Sequence, residues 1–245
     1  MSIEQETTSH GWEIKADLMK TTNHILPKEN IGSNLHYPDN RSMLSPVEQV
    51  NRLKVIFPGL RGDGFNLLPS SNLDVDGILV VPNLSKIGWS DEEAMEKVFQ
   101  LLMAARANFL NCRETELCPT YFRLLKRTAR ALETLKSNGA DFFAFPVQLG
   151  RRYLGKSARS AHIDLAQNEF GLGPLEIALF LLTHPNWLSS AEDLGIDCIG
   201  CEYAPYGHGF FRYILFFYFK KYLKFEERWS NCPDIHFGPA TGFLL

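Results

Sequence analysis

The chain has 245 residues, 45% of them apolar and 22% charged, with a formal net charge of −3. That is ordinary globular composition. The slightly negative balance excludes a chain-wide attraction to nucleic acid, so any such role needs a local patch of cations.

The longest apolar runs, Ile177–Leu182 and Ile214–Phe219, are too short to span a bilayer. The N-terminus has no basic start followed by an apolar segment, and five cysteines at irregular spacing do not read as a secreted disulfide framework. The expectation is a cytoplasmic protein without membrane contact.

Residues 1–44 are polar, with few apolar anchors, and read as a loosely structured arm. Residues 45–245 read as one α+β domain, with helices packed on a small mixed or antiparallel sheet. The first helix starts at "SPVEQV", where Ser45 caps, Pro46 suits the first position and Glu48 completes a capping box. It ends before Pro58. A turn-rich connector follows, with an R-G-D triplet at 61–63 that carries no meaning in a cytoplasmic chain. Asp74 and Asp76 hint at a calcium loop, but Ser85 stands where its bidentate glutamate belongs. "ILVV" (78–81) is a short buried strand.

Ser90 and Glu93 open a second helix whose apolar stripe is Met95, Phe99, Leu102 and Phe109. A third is expected from Pro119 to Ser137, stopped by Asn138-Gly139. "FFAFPV" (142–147) is a strand in which Pro146 argues for an edge or an early end. Pro174–Thr183 is helical, and "RYILFFYF", a "KK" turn and "LKFEERW" form a β-hairpin.

Three constellations carry the candidate chemistry. "GRRYLGKS", Gly150–Ser157, fits the P-loop pattern and lies between a strand and a helical stretch. Its variable positions are bulky where a phosphate wrap needs small residues, and "DLGID" is a poor second motif. A basic anion-contacting turn is therefore preferred to a nucleotide-hydrolysing loop.

The second constellation is a basic strip. Arg123, Lys126, Arg127 and Arg130 follow helical spacing and fall on one face. With Arg151, Arg152, Lys156 and Arg159 they concentrate positive charge, opposed within 123–159 only by Glu133 and Asp141. Such a strip attracts phosphates, and arginine favours bidentate contact. The plainer alternative is a solvated or internally paired face.

The third is Cys198-x2-Cys201 with Cys232-x3-His236, two pairs at zinc-ligand spacing, with His208 as a substitute ligand. A Cys–His nucleophile from Cys198 or Cys201 with His184 or His208 is a weaker alternative.

The segments "NEFGLGPLEIALFLLTHPNWL", "DLGIDCIGCEYAPYGHGFF" and "ATGF" resemble a group of uncharacterised bacterial proteins, from about residue 78 to the end. The resemblance implies a bacterial cytosolic protein and brings no activity. The favoured function is a non-enzymatic phosphate- or nucleic-acid-contacting protein using the strip 123–159. The alternatives are a nucleotide-binding enzyme using Gly150–Ser157, and a zinc-stabilised structural or protein-interaction module.

Overall fold

The computed structural model describes residues 29–33, 35, 42–62, 74–113, 116–118, 120–205 and 209–244. Asp63 of the R-G-D triplet, Pro119, His208 and most of the N-terminal arm lie outside them.

Five helices occur among the described residues: α1 (Pro46–Ile56), α2 (Asp91–Ala105), α3 (Lys126–Lys136), α4 (Ala158–Asp164) and α5 (Pro174–Thr183). The expected capping boxes close α1 and α2. The Ser45 hydroxyl accepts from the Glu48 N–H, the Ser90 hydroxyl accepts from the Glu93 N–H, and both glutamates reach back. In α2 the buried stripe is Ala94, Val98, Phe99 and Leu102. Met95 is only partly buried, and Phe109 belongs to the strand that follows. The expected cap at Gly139 is present, with φ +67°.

The strands are β1 (Gly77–Pro82), β2 (Phe109–Asn111), β3 (Phe122–Leu124), β4 (Phe142–Leu149), β5 (Glu169–Gly171), β6 (Gly195–Tyr203), β7 (Arg212–Phe219), β8 (Tyr222–Trp229) and β9 (Phe237–Phe243). Among the described residues they form a nine-stranded mixed sheet in the order β1-β4-β9-β6-β7-β8-β2, with β3 on β6 and β5 on β9. The α+β class is as expected, but the sheet is larger than expected. Pairs β9–β6 and β8–β2 are parallel, and β7–β8 is the expected antiparallel hairpin.

Pro146 does not end β4. The Val147 carbonyl accepts from Asp76 on the β1 side, so Pro146 directs its nitrogen the other way. There β9 pairs only with Val147–Leu149, and the missing N–H costs no ladder bond.

The main core draws on both faces of β1 and β4, where successive residues Leu79–Val81 and Phe142–Phe145 are all buried in it. Phe99 of α2 packs edge-on against Phe225 at 4.6 Å between centroids, and Phe225 meets Phe216 at 4.9 Å. A smaller cluster, Tyr153, Ala158, Ala161, Ile199 and Tyr213, is covered by the Gly150–Ser157 turn and α4. The turn passes over β9 so closely that a Cβ at Gly238 would lie 2.0 Å from the Gly150 carbonyl oxygen. Only glycine fits at that crossing.

Candidate nucleic-acid interface

The basic strip is not one helical face. Leu125 is extended and donates its N–H to the Gly200 carbonyl (3.0 Å), so α3 begins at Lys126 and not at Pro119. Arg123 therefore sits on β3 opposite Glu202, pairs with that carboxylate and lies 4.1 Å from the Phe210 ring centroid. Arg127 donates to the Ala166 carbonyl, and Arg130 is exposed.

The turn cations each meet an acid of this chain. Arg151 pairs with Asp76 (3.2 Å), Arg152 approaches Glu169 (3.9 Å), Lys156 pairs with Asp164 (2.5 Å) and Arg159 pairs with Glu29. Glu169 is itself buried, accepting from the Tyr153 hydroxyl (2.8 Å), the Thr241 hydroxyl (2.6 Å) and the Ala166 N–H (3.1 Å). Burial, with the Glu169 partner, pushes the Tyr153 phenol up to about 12. The Glu169 bonds tie the turn to β5 and β9.

The geometry of Gly150–Ser157 also departs from a phosphate wrap. A P-loop leaves its N–H groups free to converge on a phosphate. Here the N–H groups of Gly150 and Arg152 go to the Gln148 side chain, and those of Leu154 and Lys156 close the turn itself. Gly155 donates to the Phe237 carbonyl and Ser157 to the Glu29 carbonyl. The turn is a brace.

The zinc expectation finds no site. Among the described residues no group of three or more His, Cys, Asp or Glu could hold a metal. Cys198 and Cys201 are buried in the main core, where loss of solvation pushes both thiols up and away from the thiolate that a metal or a nucleophile needs. Cys232 is half-buried beside the Asn231 side chain, and His236 is exposed with its ring against Asp234. His184 is no base for a cysteine either. Its Nε2 accepts from the Leu44 N–H at 2.9 Å, and Nδ1 lies 3.0 Å from the Phe180 carbonyl oxygen.

A further group of cations, Lys220, Lys221 and Lys224, stands at the tip of the β7–β8 hairpin, with no carboxylate partner among the described residues. Phe219 and Tyr222 face one another in register, 45% and 49% exposed. Between them Lys220 and Lys221 form the two-residue turn, both left-handed, with φ +48° and +74°. This is the mirror-image turn that suits a twisted hairpin, and it favours Asn-Gly. Two lysines in that conformation cost about 1 kcal/mol each. The Asn108 side chain braces the turn by donating to the Lys221 carbonyl (3.0 Å).

Cations cover the aromatic rings along the same strands. Lys220 Nζ lies 5.2 Å from the Phe219 centroid, and Lys224 Nζ lies 5.5 and 5.9 Å from those of Phe219 and Phe217. Phe217 packs edge-on against Phe237, which carries Arg228 at 4.8 Å. The Asp234 carboxylate beside this surface pairs with Arg228 at 2.8 Å. The result is a surface on which partly exposed aromatic rings and ammonium groups lie side by side.

Comparison of the chain with protein-family models, with curated proteins and with solved structures finds no match. No helix among the described residues is long and apolar enough to cross a membrane. Sequence reasoning placed the hairpin and its "KK" turn but passed over the turn as chemistry. The signal was there in "FYFKKYLKF", where aromatics and lysines interleave around a turn with no glycine or asparagine.

Proposed function

We propose that this protein contacts single-stranded nucleic acid at the tip of the β7–β8 hairpin. Phe219 and Tyr222 supply π-faces for bases, and Lys220, Lys221 and Lys224 meet the phosphates. The observation that carries this reading is the strained Lys-Lys turn between two exposed aromatics, since the hairpin would be more stable with Asn-Gly there. Strain retained with cations at a braced tip is better explained by a contact than by folding. A single strand fits better than a duplex, because stacking on side chains requires bases already out of their own stack. The strip at 123–159, whose turn cations are paired internally, is left a secondary electrostatic role.

Fluorescence anisotropy of a labelled oligothymidylate tests it. Binding should fall with salt at a log–log slope of about −2, as expected for three lysine–phosphate contacts on a single strand. Phe219→Ala and Tyr222→Ala should each weaken it by about 1–3 kcal/mol. Binding unaffected by all of these substitutions, or no binding at low salt, refutes the reading.

A further inference from the structure

The Gly150–Ser157 turn ends in a cluster that its role as a brace does not explain. The Ser157 side chain is fully buried and donates its hydroxyl to Oε2 of Glu29 at 2.6 Å. Arg159 meets the same carboxylate with two N–H groups, Nε at 3.1 Å from Oε2 and Nη2 on Oε1. One hydroxyl and a two-pronged guanidinium converge on a single anionic group, which is 16% exposed. That donor set is the one a phosphate monoester takes.

The group now filling it is borne by residues 29–33, which lie on the surface of the turn. Residues 29–33 attach through polar contacts: Ile31 N–H to the Gly155 carbonyl (3.0 Å), Ser157 N–H to the Glu29 carbonyl (2.9 Å) and the Ser33 hydroxyl to the Ile235 carbonyl (2.7 Å). Their one large apolar side chain, Ile31, is 43% exposed. No apolar side chain is buried within residues 29–33, and contacts of this polar, partly exposed kind belong to the low-stability end of local opening. Gly32 lies against Gly155, so the segment covers the turn directly.

We propose that Ser157 and Arg159 form a binding site for a phosphate monoester dianion, and that Glu29 is its built-in competitor. Phosphate at Arg159 displaces the Glu29 carboxylate, and residues 29–33 leave the turn. A doubly charged oxyanion gains more from the fixed guanidinium than a carboxylate does. The tethered carboxylate competes at an effective concentration in the millimolar range, so free phosphate acts at about that concentration. The site is separate from the hairpin tip, and the two proposals stand or fall independently.

The test uses the full chain, with chloride matching ionic strength. Inorganic phosphate at about 10 mM should speed hydrogen exchange at the Ile31 and Ser157 amides in the native protein. Glu29→Gln removes the competing charge and should tighten phosphate binding, followed by phosphorus NMR, about tenfold. Arg159→Ala should abolish binding in the Glu29→Gln background. Adenosine monophosphate serves as a second probe: tighter binding than inorganic phosphate assigns the site to nucleotide monoesters, and equal binding assigns it to free phosphate. The proposal is overturned if phosphate leaves both amides unchanged and Glu29→Gln binds neither probe. Binding that survives Arg159→Ala overturns it as well.

Discussion

The hydroxyl of Tyr213 lies 3.3 Å from Oδ2 of Asp197, while Oδ1 of that fully buried carboxyl has no hydrogen-bond partner among the described residues. Burial pushes the Asp197 carboxyl up to about 7, against the attraction of Arg228, and Asp234 adds to the rise. The folded protein therefore keeps a proton that the unfolded chain releases near 3.8. This contribution to stability is full in acid and is lost as pH rises from about 4 to about 7. Asp197→Asn cannot ionise, so its stability relative to the native protein should climb across that window by up to about 4 kcal/mol and then level off. Urea titrations of both proteins at a series of pH values check it, and a constant difference contradicts it.

His184 should act with the opposite sign. Burial lowers both His184 and His162 to about 4, so each is neutral in the fold while the unfolded chain takes up a proton near 6.5. Their contribution is complete above about 6.5 and is lost as pH falls towards about 4. His184→Ala should remove part of the acid sensitivity. It should also cost about 1–2 kcal/mol at neutral pH, because the Leu44 N–H loses its acceptor. Thermal melts at pH 7 and pH 5 measure both effects.

Glycine substitutions should separate close approach from backbone strain. Gly238→Ala forces a methyl group onto the Gly150 backbone and should cost about 3 kcal/mol or more, or prevent folding. Gly88 has φ +79° with nothing within 4 Å of an added Cβ, so Gly88→Ala should cost only about 1 kcal/mol. Urea midpoints of the two variants provide the comparison.

At the hairpin tip, stability and binding should move apart. Lys220→Asn with Lys221→Gly relieves two left-handed lysines and should raise stability by about 1–2 kcal/mol. The same double variant should bind oligothymidylate more weakly. A gain in stability without a loss of binding would separate the turn's strain from its charge.

What the sequence revealed and what it hid follow from the range of the interactions. The Ser45–Glu48 and Ser90–Glu93 boxes and the helix Pro174–Thr183 are decided within a few residues, and they read correctly. The start of α3 is decided by Gly200, far along the chain, so helical spacing wrongly extended over Arg123. The acids that pair with the basic strip, Glu29, Asp76, Asp164, Glu169 and Glu202, lie outside residues 123–159, so the charge balance within that stretch hides them. Cys198 and Cys201 matched a ligand spacing, while their burial among core residues appears only once β6 is placed. The hairpin tip was legible as a turn, but its positive φ angles belong to the fold.

Strand β9 sits between β4 on one side and β6 on the other, so it is the seam that joins β1–β4 to β6–β7–β8–β2. Its pairing brings Val147 opposite Gly242 and Gly195 opposite Phe237, contacts that close very different lengths of chain. The β7–β8 ribbon can zip locally and early, whereas the two halves of the sheet can merge only after a long loop has closed. Folding should therefore be slow for a chain of this size, with the ribbon formed before the seam. An interval follows in which the flanks of β4 and β6 stand open to other chains.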